Sequence, residues 1–204
     1  MGHREDLLEG AKRCLLQKGF VRTTARDIVK ESGTNLASIG YHYGSKDALL
    51  VQAYVSLIEG VGEAQEGQGQ SQGQGWGAGG AETAPLGSLE RFRGVWANVI
   101  GSLPESRAIW LLSFELVLQG DRIPEVRRML GEAQRDGRSG LASLFTGIPE
   151  SELDKETVET EGRFYMTLLN GLMVQWLFDP DSATHAEQLT EGLRRVIAGT
   201  AAAS

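Results

Sequence analysis

Apolar residues recur every three or four positions along most of the chain, which is the spacing of one face of an α-helix. In the first twenty residues this stripe consists of Leu7, Leu8, Ala11, Cys14 and Leu15. Gly19 predicts the end of that helix. No alternating run of Val, Ile and Thr stands beside a tight turn, so the pattern predicts no sheet. We therefore expect an all-α protein of about nine helices.

A helix-turn-helix spacing follows the first helix. Thr24 and Asp27 are three residues apart, as the two members of a capping box are, and they predict a helix over residues 25–32. Gly33 can take the positive φ that a sharp turn requires. The segment thus predicts a helix followed closely by a turn.

The next predicted helix is short, over residues 36–42, and Asn35 can cap its start. We expect its inward side to consist of Leu36, Ile39 and Tyr43. We expect its outward side to consist of Ala37, Ser38, Tyr41 and His42. A small, polar and aromatic face of this kind suits the major groove of DNA.

Two predicted helix starts near this segment suit phosphate, because free N–H groups at a helix N-terminus attract anions. Thr24 opens one of them, and Arg26 lies one turn inside. Lys46 stands at the start of a fourth helix and adds a full positive charge. Arg26 can equally pair with Asp27 or Glu31, and that alternative stays open here.

The charge is unevenly distributed. Residues 1–50 hold eight Lys or Arg and six Asp or Glu, a net charge of +2. The other 154 residues hold the remaining 12 basic and 21 acidic side chains, a net charge of −9. A mildly basic head on an acidic body indicates that the head meets something anionic.

The composition excludes several classes of protein. One cysteine and three scattered histidines exclude a disulfide framework and favour no metal site. No nucleophile–base pair, phosphate-binding glycine loop or carboxylate pair can be read, so we expect no enzyme and no cofactor. No apolar run reaches the ~18–20 residues of a membrane helix. No signal peptide is evident, and we expect a cytoplasmic protein.

Residues 63–84 are mostly Gly, Gln and Ala. They offer little apolar surface to offset the entropy of ordering, so we expect a flexible loop. A short prion-like segment is the alternative that the Gln content leaves open.

The body after this loop also has helical periodicity. We expect helices over about 86–102, from Pro104, from Pro124 toward 144, and over about 152–178 and 183–198. The predicted architecture is an N-terminal three-helix helix-turn-helix domain, residues 1–50, and a larger C-terminal helical bundle, residues 51–204, for ligand binding and dimerisation.

Two stretches carry a family resemblance. The first is Thr23-Thr24-Ala25-Arg26-Asp27-Ile28-Val29-Lys30-Glu31-Ser32-Gly33, and the second is Ile39-Gly40-Tyr41-His42-Tyr43-Gly44-Ser45-Lys46-Asp47-Ala48-Leu49-Leu50. Together they resemble the TetR family of bacterial transcriptional regulators. The detailed match covers residues 7–58. The resemblance implies a homodimer that binds a palindromic DNA operator and releases it when a small molecule enters the body.

By position, the resemblance also implies roles in DNA binding. Thr24 and Arg26 would touch the DNA backbone or groove edge, and Ser38 and Tyr41 would face bases. His42 and Lys46 would hold phosphates. Gly40 stands where the family usually has a tyrosine, which leaves open a helical ligand-binding or interaction protein without operator recognition.

The body suggests two further sites. By the resemblance, helices around 86–144 wall a ligand pocket, for which we select Trp96, Trp110 and Phe114. Asn170, within the apolar run 166–177, either orients the ligand or hydrogen-bonds across the dimer, and we add it as a ligand candidate. Aromatic residues at helical spacing are also ordinary core, and that alternative stays open. An apolar or aromatic effector would suit such a lining.

The last two helices carry more apolar surface than one chain is expected to cover. We expect a homodimer interface formed by Phe164, Leu168, Leu172, Leu189, Leu193 and Val196. An ordinary monomer core is the alternative.

Overall fold

The computed structural model describes residues 2–63 and 84–202. The chain divides into two compact units, each built from two stretches that are separate in sequence. The first unit combines Met1–Val61 with Ser106–Gln134, and the second combines Gly62–Glu105 with Arg135–Ser204. The expected boundary at residue 50 therefore does not coincide with the division into compact units.

The described residues form nine helices and no strand, which confirms the all-α prediction. The N-terminal four are α1 (His3–Lys18), α2 (Ala25–Ser32), α3 (Leu36–Tyr43) and α4 (Lys46–Glu63). Beyond residue 84 follow α5 (Leu89–Ser102), α6 (Arg107–Gly120) and α7 (Pro124–Thr146). The eighth, α8, runs without a break through Lys155–Thr157, a π-helical segment Val158–Gly162, and Arg163–Phe178. The last is α9 (Ala186–Ala202).

Three boundaries differ from the sequence prediction. Pro104 lies in the turn before α6, which begins at Arg107. A 3₁₀ turn at Glu150–Glu152 precedes α8, and α9 begins at Ala186. The predicted Gly/Gln-rich loop lies, apart from its ends, outside the residues that the structure describes.

The core of the first unit joins α1–α4 to α6 and the start of α7. Leu7, Leu15, Ile28, Leu49 and Leu50 are fully buried or nearly so. Leu112, Leu116 and Val126 belong to the same apolar cluster. Burial of such side chains contributes roughly 1.5–3 kcal/mol each. The helix-turn-helix is thus held by α6 and α7 as well as by its own helices.

Helices α1 and α2 approach closely at Gly10. A Cβ atom at this position would lie 2.8 Å from the Cβ of Ser32 and 3.2 Å from the carbonyl oxygen of Ile28. Only glycine permits this separation without a shift of α2. The spacing of the two helices is therefore set by a missing side chain.

Two carboxylates join the α6–α7 segment to the N-terminal helices. Glu115 of α6 accepts hydrogen bonds from the backbone N–H groups of Phe20 and Val21, each at 2.9 Å. Glu125, in the first turn of α7, accepts one from the hydroxyl of Ser45 at 3.2 Å. Both turns that flank the helix-turn-helix are held by acids from far along the chain.

The second unit has an aromatic cluster at its centre. The rings of Phe145 and Tyr165 stack with their centroids 4.0 Å apart, and Trp96 lies 5.1 Å from Phe145. Phe92 lies 5.7 Å from Phe145. Burial, with a smaller effect from Glu161, raises the pKa of Tyr165 to about 12. The phenol is therefore neutral at physiological pH.

The π-helical segment of α8 ends at a close contact. A Cβ atom on Gly162 would lie 2.6 Å from the carbonyl oxygen of Arg138 on α7. Arg91 of α5 donates to the carbonyl oxygens of Leu144 and Phe145 at 3.0 and 2.9 Å, which satisfies the end of α7. These contacts fix α5, α7 and α8 around the aromatic cluster.

Candidate nucleic-acid interface

Local hydrogen bonds fix the start of α2. The hydroxyl of Thr24 accepts from the backbone N–H of Asp27 at 3.2 Å, and the N–H of Thr24 donates to the Asp27 carboxylate at 2.9 Å. This is the reciprocal pairing of a capping box, as the sequence predicts. Gly33 ends α2 with φ 68°, in the left-handed region that glycine adopts without strain.

The acidic neighbours of Arg26 are paired with other cations. Lys18 Nζ lies 2.6 Å from Asp27 Oδ1, and Arg13 Nε lies 2.7 Å from Glu31 Oε1. The hydrogen bond from Lys18, with those from Thr24, holds the pKa of Asp27 well below its usual range. Arg26 is exposed and pairs with neither acid, which answers the alternative left open by the sequence.

The α3 helix is seated by its ends and by one apolar side. The side-chain oxygen of Asn35 accepts from the N–H of Ser38 at 3.1 Å, which caps the start. Ile39 and Tyr43 are buried, and the hydroxyl of Tyr43 donates to the backbone oxygen of Arg4 at 2.6 Å. The rest of α3 is thereby presented outward.

Tyr41, which the resemblance places against bases, is 85% exposed. Its ring meets the edge of the His42 ring at 4.8 Å between centroids. Ser38 and His42 are half-buried. The assignment of Ser38 and Tyr41 to bases and of His42 to a phosphate stays a prediction.

Leu36 lies on the outside, at 52% exposure, and its predicted inward orientation is wrong. Its spacing matches Ile39 and Tyr43, but Leu36 is the first residue of α3, where the neighbouring helices no longer cover it. Periodicity alone gives no signal for this difference.

The start of α4 is already occupied by acids of the chain. The Ser45 hydroxyl accepts from the N–H of Ala48 at 2.9 Å and donates to Glu125. Lys46 Nζ lies 2.7 Å from Asp47 Oδ1 and 5.2 Å from the centroid of the Phe20 ring. The Lys46 side chain is half-buried and its charge is partly compensated by Asp47, whereas Arg26 is exposed and pairs with neither neighbouring acid.

Family comparisons agree with this arrangement. The bacterial regulatory proteins of the tetR family match residues 7–53, which include α2 and α3. The C-terminal region of BetI-type transcriptional repressors matches residues 88–202, more than half of the chain. The chain belongs to the TetR family. As a TetR-family protein it is a DNA-binding transcriptional regulator.

Individual relatives span most of this TetR-family chain. ArpR of Pseudomonas putida, named as a probable HTH-type transcriptional regulator, is 25% identical over 185 residues, which cover 88% of this chain and 82% of ArpR. The HTH-type transcriptional regulator TtgR, also from Pseudomonas putida, is 24% identical over the same shares of the two chains.

A similar solved structure is that of the multidrug binding protein EbrR complexed with proflavin. It superposes with a TM-score of 0.60 at 23% identity, and the match covers 95% of this chain and 99% of that one. The likeness establishes the shared TetR-family fold. Among the helices of residues 2–63 and 84–202, none combines the length and the mean hydropathy that a membrane span requires.

The four candidate ligand residues are divided between the two units. Trp110 is buried and Phe114 partly exposed in the first unit. Trp96 is fully buried and Asn170 half-buried in the second. Within the described part of the chain, the indole N–H of Trp96 has no hydrogen-bond acceptor. Spacing along the chain gave no signal for the cluster that joins Phe92 and Trp96 of α5 to Phe145 of α7 and Tyr165 of α8, because its members come from three separate helices.

The candidate dimer residues lie on α8 and α9 and differ in exposure. Phe164 and Val196 are exposed, and Leu168, Leu189 and Leu193 are half-buried. Leu172 is only 5% exposed within its own chain, which withdraws it from the predicted surface. Phe164 and Leu172 are eight residues apart, which places Leu172 about 80° around the helix from Phe164, on the more covered flank of the predicted face.

Proposed function

We propose that this TetR-family regulator is a homodimeric repressor that binds a palindromic DNA operator and leaves it when a small apolar or aromatic ligand binds. The observation that carries the proposal is the pairing pattern of the helix-turn-helix. Caps and ion pairs satisfy Thr24, Asp27 and Glu31, while Arg26 and Tyr41 stay exposed. Such a surface offers a cation for phosphate and a ring for base edges.

The DNA part of the proposal is tested by selection of bound duplexes from a random pool. We expect enriched sequences with two-fold symmetry and half-sites about one helical turn apart, roughly 34–36 Å. Binding should weaken steeply as salt rises, because each neutralised phosphate releases counterion. A pool without enrichment, or a flat salt dependence, would contradict operator recognition.

The dimer part rests on apolar side chains that the chain leaves exposed on its last two helices. Phe164, Phe178, Val196 and Ile197 all retain large exposed areas. A second copy related by a two-fold axis would cover such a surface. Sedimentation equilibrium should give twice the chain mass. Val196→Glu should shift the protein to monomer, whereas Val21→Glu, an equally exposed valine before α2, should not.

The ligand part rests on Trp96. Buried polar groups are paired in most proteins, so an indole N–H without an acceptor among the described residues suits a ligand that carries one. EbrR, which shares this fold, is named as a multidrug binding protein, and its crystal structure was solved in complex with proflavin. We propose Trp96 and Asn170, both in the second unit, as contacts of an aromatic ligand. The ligand role of Trp110 and Phe114, in the first unit, stays a separate prediction.

Release of the selected duplex by aromatic compounds tests the ligand part. Quenching of tryptophan fluorescence should accompany release, and Trp96→Phe should reduce the affinity for the compound while leaving operator affinity unchanged. If a panel of planar aromatic compounds released no duplex, the ligand part of the proposal would be wrong. The operator-binding part would not be affected.

A further inference from the structure

The outward face of α3 lacks the side chains that most often read bases. Between Leu36 and Tyr43 there is no Arg, Lys, Asn, Gln, Asp or Glu. Those residues make the bidentate hydrogen bonds to guanine, adenine and cytosine edges in the major groove. The amide oxygen of Asn35, just before α3, is engaged in its cap. Direct reading by α3 must depend on other chemistry.

The start of α3 exposes apolar carbon instead. Leu36 and Ala37 are the first two residues of the helix, and both are exposed. A recognition helix contacts base edges with its N-terminal residues. A single exposed leucine is ordinary on a protein surface. Here, however, an exposed leucine and alanine occupy the positions that a base-reading side chain would hold.

Gly40 extends this face by one turn. It is exposed, and a Cβ atom placed on it would meet no atom of the described residues within 4 Å. Neither packing within that part of the chain nor a positive φ requires glycine there. Glycine inside a helix is unfavourable relative to alanine. A glycine that the fold does not need is explained when another molecule approaches the backbone closely.

We propose that the start of α3 reads the C5-methyl groups of thymine through Leu36 and Ala37, and that Gly40 lets the backbone of α3 approach the base pairs. Thymine is the base whose major-groove edge presents a methyl group to apolar side chains. The operator half-site then carries thymine under the first turn of α3. This inference rests on the proposed operator recognition.

Uracil substitution in the selected operator tests the methyl contact directly. Deoxyuridine removes the methyl group and keeps every hydrogen-bonding group of thymine. We expect replacement at one or two half-site positions to weaken binding by about fourfold each, the value for one buried methyl-sized group. Uracil outside the protected half-site should have no effect.

Substitution of Leu36 identifies the side chain responsible. Leu36→Ala should bind the thymine and uracil duplexes with nearly equal affinity at the position that Leu36 contacts, since the partner of that methyl group is gone. A thymine contacted by Ala37 should keep its difference. Leu16 of α1 is exposed to a similar degree, at 45%, and Leu16→Ala should keep the full difference between the two duplexes.

Gly40→Ala distinguishes the approach of the α3 backbone to the base pairs from an effect on the folding stability of the protein. The added methyl group should raise the midpoint of thermal unfolding and yet weaken operator binding at least tenfold. Gly101 of α5 is a matched control, because it is also exposed and helical with free space at its Cβ. Gly101→Ala should stabilise the protein and leave operator binding unchanged.

The outcomes separate this inference from the function on which it depends. If no duplex is enriched, operator recognition itself fails. If a duplex is enriched but uracil is tolerated at every half-site position, thymine reading is overturned. Uracil sensitivity that survives Leu36→Ala undiminished at every half-site thymine would assign the contacts to other side chains and overturn the role of Leu36.

Discussion

The start of α2 and the start of α4 are built from the same parts but held in different ways. Each has a hydroxyl cap and a lysine beside an aspartate. At α2 the cap and its acid, Thr24 and Asp27, are close in sequence. At α4 the cap of Ser45 is also bound by Glu125, which lies 80 residues further along the chain.

This difference changes what each helix start offers to DNA. At the α2 start, the cap needs no residue from far along the chain, and both neighbouring acids are paired with other cations. Arg26 is therefore exposed, without a bond to Asp27 or Glu31. At the α4 start, Asp47 and Phe20 compensate Lys46, and Glu125 adds a negative charge. Two sites that look equivalent in the sequence should therefore contribute unequally to phosphate binding.

The largest effect is expected at Arg26. Arg26→Ala should weaken operator binding roughly tenfold on all sequences, as loss of one charge-assisted phosphate contact does, and reduce the salt slope by about one. Fluorescence anisotropy over a salt series measures both. Arg135→Ala removes the same charge from another exposed site on α7 and should change neither. Equal losses in the two variants would refute a specific contact.

The cap of α2 is expected to affect folding by a smaller amount. Thr24→Ala removes the oxygen that accepts from the N–H of Asp27 and should lower the free energy of unfolding by about 1 kcal/mol. Urea denaturation measures the change. Thr24→Ser keeps the oxygen and should stay close to the parent, so a loss of the same size in both variants would contradict the capping role.

Lys46→Ala is expected to weaken operator binding only about twofold, because the ammonium group is already paired. The same anisotropy assay applies. Unchanged affinity with an unchanged salt slope would remove Lys46 from the phosphate contacts, and a loss as large as that of Arg26→Ala would erase the difference between the two helix starts.

The smallest effect should have the opposite sign. Glu125→Gln keeps an oxygen for the Ser45 hydroxyl and removes a negative charge from the start of α4, so binding should tighten about twofold at low salt and less at high salt. Glu152→Gln, an exposed acid elsewhere, is the control. Weaker binding by the Glu125 variant would show that the carboxylate aids DNA contact.

These two helix starts also mark how far sequence reasoning reaches. Sequence alone predicted the capping box at the start of α2, formed by Thr24 and Asp27, and the turn at Gly33. Each of these features depends on residues within a few positions of one another. The contacts of Glu115 and Glu125 were not, since nothing local distinguishes an acid that binds a distant turn. The inward orientation predicted for Leu36 was wrong for a related reason. Helical periodicity indicates which side of a helix a residue is on, but not whether a neighbouring helix covers it.

The body illustrates the same limit. Periodicity identified its helices, and Phe92, Val95, Trp96 and Val99 of α5 are buried on one side of that helix, although Leu89 at its start is exposed. The aromatic cluster needed the packing of three helices to bring Phe145 of α7 beside Trp96 and Tyr165 of α8 beside Phe92. Leu172 was misplaced because a face followed in steps of four residues rotates around the helix.

The contact of Glu115 has a consequence for how the sequence can drift. Its two partners are backbone amides, which every amino acid except proline supplies at positions 20 and 21. Val21 is also exposed, so its side chain is nearly free to vary during evolution. The hydrogen bonds therefore require the acid at position 115 but no particular side chain at position 21, whereas Phe20 is constrained by its burial in the core.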